Sequence, residues 1–185
     1  MREENLDEFS FKELMAYSIE AEKEAKKFYS DFAEAAIGAL VKERFKSLRR
    51  DEEIHKKELL KRYEAQFGTR DYEVPDSDKL PPHETSYNFK NAKNAIDSLE
   101  KGIENEENAR KIYEYMSKRF DDHASFFRYL ALMEKGHYES LSEELALMRG
   151  EIKEGEKNEK ESIESFWKGM GSEQDSAFGD REQMR

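Results

Sequence analysis

Apolar or small side chains fall at positions 11, 15, 18, 25, 29, 32 and 36, in steps of three and four broken only by Glu22. That spacing keeps one stripe of an α-helix turned toward a core. Ser10, followed three residues later by Glu13, forms a capping box that sets the start of this helix, and Gly38 suits its break. A second seam at 41, 45, 48, 59 and 63 predicts a helix from about 39 to 67, closed by Gly68. A third helix starts near Asn94, with Asp97 as its acidic third residue, and reaches about Phe120 on a seam of 96, 99, 103, 109, 113, 116 and 120. Asp121 or Asp122 caps a fourth on 127, 130, 141, 145 and 148, which ends at Gly150.

Residues 69–93 hold all three prolines (Pro75, Pro81, Pro82) and no sustained period, so they read as a long crossover. The other two links are short and make antiparallel hairpins of the first and last helix pairs. The expectation is an all-α, ferritin-like antiparallel four-helix bundle over residues 1–150. Residues 151–185 form a charged tail in which Ile163, Phe166, Trp167 and Met170 predict a short amphipathic helix. That segment is expected to pack on its own bundle or on a second subunit, which makes it a candidate homodimer contact.

Composition narrows the classes. With Lys+Arg 32 against Asp+Glu 43, the net charge is −11 and no basic cluster stands ready for phosphates, which argues against nucleic acid. No run approaches the length of a membrane span, and the opening MREENLDEFS lacks the apolar stretch of a secretory signal, so a cytoplasmic protein is expected. The absence of Cys removes disulfides, thiol nucleophiles and Cys-ligated zinc or iron. Any metal must be held by oxygen and imidazole.

The chain repeats itself. Residues 19–29, IEAEKEAKKFY, match 103–113, IENEENARKIY, at an offset of 84, and residues 45–59 match 127–141 at an offset of 82. The identities in the second pair are Phe45/Phe127, Leu48/Leu130, Glu52/Glu134, His55/His137 and Leu59/Leu141, all on the seam. What recurs is an inward face, and that face contains a Glu and a His.

Six polar residues thus interrupt the seams: Glu22, Glu52, His55, Glu106, Glu134 and His137. Helix positions three apart differ by about 60° in azimuth and about 4.5 Å in height, so each Glu-x-x-His can aim both side chains at one point. Four buried carboxylates, each costing several kcal/mol, could consume a domain stability of ~5–15 kcal/mol. Two divalent cations would balance the four charges. Hard oxygen and imidazole ligands suit iron or manganese, and would also accept zinc. His83 and His123 lie outside this pattern and are expected at the surface.

The Glu-x-x-Ala-x-x-(Phe/Ile)-Tyr spacing on the first and third helices, with Glu-x-x-His on the second and fourth, resembles the rubrerythrin-type ferritin-like proteins over residues 10–150. The resemblance implies two iron ions, with Glu22 and Glu106 as terminal ligands, Glu52 and Glu134 as bridges, and His55 and His137 giving one imidazole each. It also implies that Tyr29 and Tyr113 hydrogen-bond ligand carboxylates across the site. The chain departs from the family in having no Cys for a rubredoxin domain, and in carrying Ala109 where some members offer a further Glu. The implied activity is reduction of hydrogen peroxide or dioxygen with electrons from an external donor such as a rubredoxin-type protein. Ferroxidation and iron handling, a manganese catalase-like activity, and a non-catalytic metal-stabilised helical binding module are the alternatives.

Overall fold

A computed structural model describes residues 6–36, 38–81 and 92–150. Four helices account for nearly all of them: α1 (Phe11–Ala35), α2 (Ala39–Phe67), α3 (Ala92–Arg119) and α4 (Ala124–Arg149). No strand occurs among the described residues. The predicted tail helix at 163–170, its proposed dimer contact and His83 lie outside them.

α1 begins as its sequence requires. The Ser10 side chain accepts the Glu13 amide, while the Glu13 carboxylate accepts the Ser10 amide at 2.8 Å. α2 and α4 both stop at glycines in the left-handed region, Gly68 at φ 73° and Gly150 at φ 70°, where a side chain would be strained.

Two boundaries differ from expectation. α3 starts two residues before Asn94, which moves Asp97 out of the first turn. Asp121 and Asp122 lie in a 3-10 turn, Asp121–His123, and neither side chain caps α4. His123, expected at the surface, is instead half-buried and stacks on Phe11 with ring centroids 4.7 Å apart. The inner face of α3 is also turned slightly: Ala95, Leu99 and Gly102 are buried, and Ile96 and Ile103 only partly so.

Each hairpin packs closely within itself, α1 on α2 and α3 on α4, whereas α1 and α3 touch sparingly. The apolar core falls into two clusters. Leu14, Ile19, Leu59, Tyr63, Met116 and Phe127 anchor one. Phe28, Phe32, Phe45, Leu99 and Leu141 anchor the other. Each helix runs through both, and burial of such side chains contributes about 1.5–3 kcal/mol apiece. Between the clusters every helix presents the polar residues that break its seam.

Candidate metal centre

All six predicted residues meet in that intermediate layer, none more than 3% exposed. Glu22 comes from α1, Glu52 and His55 from α2, Glu106 from α3, and Glu134 and His137 from α4. The i, i+3 spacing acts as geometry demands, and each imidazole turns Nδ1 toward its helix partner and beyond. His55 Nδ1 lies 3.2 Å from Glu52 Oε2, 3.3 Å from Glu134 Oε1 and 3.5 Å from Glu22 Oε2. His137 Nδ1 lies 2.7 Å from Glu52 Oε1, 3.3 Å from Glu134 Oε2 and 3.6 Å from Glu106 Oε2.

These distances resolve into two sets with shared members: Glu22, Glu52, His55 and Glu134, and Glu52, Glu106, Glu134 and His137, each with its ligand atoms within 4.8 Å of one another. First-row divalent cations bond oxygen and imidazole nitrogen at roughly 2.0–2.2 Å, so opposite ligands stand roughly 4.2 Å apart. Each set can close on one ion with sub-ångström adjustment. Glu52 and Glu134 belong to both sets, the position a bridging carboxylate requires.

The atoms are aimed at shared space rather than at each other. His137 Nδ1 and Glu52 Oε1 are only 2.7 Å apart, yet neither has an aligned hydrogen-bond partner, and Glu134 Oε1 is likewise unsatisfied. Buried polar atoms left so cost roughly 1–3 kcal/mol each. A cation in each of the two sets would give these atoms a partner, so the donor set fits a pair of metal ions. His137 Nε2 is also without a partner, and its nearest acidic oxygen is Asp51 Oδ2 at 3.9 Å.

Protons reveal the same pressure. Burial, and then the neighbouring Glu52 charge, push the Glu22 carboxyl up to about 8. Burial and the Glu134 charge raise Glu106 as well. Burial would drive the protons off His55 and His137, but the surrounding carboxylates outweigh it and both imidazoles are held strongly basic. Glu134 goes the other way: burial and Glu22 oppose its ionisation, and the adjacent His137 and His55 imidazoles prevail. Without metal, all four of these shifts favour keeping protons on Glu22, Glu106, His55 and His137, against the charge that two divalent cations would balance.

Tyr29 donates its hydroxyl to Glu106 Oε1 at 2.6 Å, and Tyr113 donates to Glu22 Oε1. Both phenols are buried, which together with the adjacent carboxylates keeps them protonated far above the usual range. Each tyrosine thereby orients a carboxylate of the opposite hairpin that belongs to one ligand set only.

Two features escaped the sequence reading. Glu144 is a fifth buried carboxylate among the described residues, 3% exposed, paired with Arg44 at 3.0 Å at one end of the bundle. Its position three residues after Leu141 was the available signal. A cavity between α1 and α3 reaches Glu22, Glu106 and Glu134 and is walled by Ala21, Glu24, Ala25, Asn105, Asn108 and Ala109. Of its walls only Ala25 and Ala109 had drawn notice, and not as lining a space, although the 84-residue offset relates the wall residues in pairs.

A four-helix bundle with two carboxylate–imidazole sets sharing two glutamates defines the class of ferritin-like proteins with a candidate dinuclear metal site. The chain belongs to the rubrerythrin family, whose sequence model matches residues 13–145 and again 97–174. Domains of this family bind a di-iron site. The structure is similar to that of a hypothetical protein from Pyrococcus furiosus, with TM-score 0.74 and 27% identity, covering 83% of this chain and 99% of that one. The comparison with curated proteins gives no match. Among the described residues no helix is long and apolar enough to cross a membrane.

Proposed function

We propose that this chain is a di-iron carboxylate oxidoreductase of rubrerythrin type that reduces hydrogen peroxide, or dioxygen, with electrons from a separate donor protein. The observation that carries this is the pair of ligand sets joined through Glu52 and Glu134, which would hold two ions close enough to act on one small molecule. Two bound iron ions would supply two electrons, enough with two protons to take hydrogen peroxide to two waters, or dioxygen to hydrogen peroxide. Glu22 with His55, and Glu106 with His137, would be the terminal ligands, and the protonated Oη atoms of Tyr113 and Tyr29 lie beside the two terminal carboxylates. The ligand layer is buried, and a narrow cavity between α1 and α3 reaches it from solvent.

The test is anaerobic titration of the Fe(II)-loaded protein with hydrogen peroxide. One peroxide should oxidise both ions of a chain, with loss of the Fe(II) signal complete at that ratio. Fe(II) that survives peroxide addition overturns the proposal. Oxidation of many more ions than the two sets hold assigns the chain to iron handling instead. Manganese in natively purified protein, with dioxygen released from peroxide, assigns it to catalase chemistry.

A further inference from the structure

The cavity between α1 and α3 has a volume of about 40 Å³, and its floor is made by Glu22, Glu106 and Glu134. The floor is buried, whereas Ala21, Glu24, Ala25, Asn105, Asn108 and Ala109 are each half-exposed, so the space opens from the centre outward to solvent. Its walls obey the internal repeat. Adding 84 carries Ala21 to Asn105, Glu24 to Asn108 and Ala25 to Ala109, just as it carries Glu22 to Glu106. The cavity therefore straddles the relation that exchanges the hairpins, and it serves both ligand sets alike.

We infer that this cavity is the passage by which the oxidant reaches the centre, and that its narrowness admits dioxygen or hydrogen peroxide while excluding organic hydroperoxides. A water-sized body needs roughly 10–15 Å³ of such space, so the cavity holds about three. Hydrogen peroxide, with two heavy atoms and two O–H donors, fits, and Glu24 Oε2 in the wall is a buried acceptor without a partner. A branched four-carbon hydroperoxide has six heavy atoms, about twice what a space for three water-sized bodies takes. The alanines keep the space open, and the rim is fixed where Tyr17 donates to the Pro81 carbonyl at 3.0 Å. The preference among oxidants rests on the peroxide chemistry proposed above; the passage itself does not.

Nitric oxide tests the passage separately, because this neutral diatomic binds Fe(II) without turnover. In stopped-flow absorbance on the anaerobic Fe(II) protein, Ala109→Leu and Ala25→Leu should each slow nitric oxide binding at least about tenfold. Iron content and the helical circular dichroism signal should be unchanged. Wild-type protein should react with tert-butyl hydroperoxide about a hundredfold more slowly than with hydrogen peroxide, and Ala109→Gly should narrow that gap. Unchanged nitric oxide rates in both leucine variants overturn the passage. Equal rates for the two hydroperoxides in wild-type protein overturn the exclusion. If the leucine variants lose iron, Ala109→Gly decides, and a nitric oxide rate lower than that of wild type counts against the passage. If peroxide leaves Fe(II) intact while the leucine variants still slow nitric oxide, the passage stands and the proposed reaction fails.

Discussion

Tyr29 on the first hairpin holds Glu106 on the second at 2.6 Å across 77 residues of sequence, and Tyr113 returns the bond to Glu22. The aim of each terminal carboxylate is therefore set by the hairpin to which it does not belong. Removing one hydroxyl should be felt at one ligand set and not the other.

Tyr29→Phe should weaken metal binding at the Glu106–His137 set about ten- to hundredfold, with the Glu22–His55 set within about threefold of wild type. Tyr113→Phe should do the reverse. A cobalt(II) titration followed by absorbance resolves the two steps. Equal weakening of both sets by either variant would mean that the tyrosines act only through packing.

The shared glutamates make a second asymmetry. Metal bound at about a thousand times its dissociation constant stabilises the folded state by about 4 kcal/mol. Glu52→Gln alters both sets and should abolish most of the difference in melting temperature between iron-loaded and chelator-treated protein. Glu22→Gln touches one set and should leave about half of it. Thermal unfolding followed by circular dichroism is the measurement, and equal effects of the two variants would remove Glu52 from the bridging role.

Proton occupancy gives a pH dependence with a definite sign. Glu22 is raised to about 8, and Glu106, His55 and His137 are also raised, so above the ordinary carboxylate range the folded metal-free protein holds more protons than the unfolded chain. Stability contributed by a raised group is present below its unfolded pKa and lost as pH climbs toward its folded one. Urea unfolding of the metal-free protein should therefore show lower stability at pH 8 than at pH 6. Loading at pH 6 should release about four protons per chain, fewer at pH 8, measured by calorimetry in buffers of different ionisation enthalpy. Release of no protons would mean that the four groups are not the ligands.

Gly102 makes a purely steric prediction. A Cβ there would lie 2.8 Å from two ring atoms of Phe28 and 3.3 Å from Leu141 Cδ1. Ala ordinarily favours a helix over Gly by about 1 kcal/mol, but Phe28 is 1% exposed and has little room to yield. Gly102→Ala should destabilise the protein by about 1–2 kcal/mol net, read from denaturant midpoints. Adding Phe28→Leu should recover part of that loss; no recovery would place the strain elsewhere.

The metal layer was legible because Glu22, Glu52 and Glu106 occupy positions where a helix otherwise demands apolar residues, and because Glu-x-x-His occurs at corresponding places in both halves. Seam periodicity reports azimuth, and azimuth alone brings the six residues together. It failed at α3 where the inner position is Gly102, which has no side chain to register as core, while Ile103 beside it does. The start of α4 was misplaced because Asp121 and Asp122 are good cap residues whose side chains the 3-10 turn leaves uninvolved. Glu144 was missed because its partner Arg44 lies 100 residues away, and nothing local announces the pair. The cavity could not be read at all from periodicity, since its width depends on how far α1 stands from α3.

Every candidate metal position takes three residues from one hairpin and a single glutamate from the other. A lone hairpin meeting its own copy about a two-fold axis would build the entire centre, so the fused chain specifies with two halves what one could encode. Fusion releases those halves from identity. The two halves differ at the cavity wall, where Ala21 corresponds to Asn105 and Glu24 to Asn108, and agree at Glu22, Glu52, His55 and their counterparts.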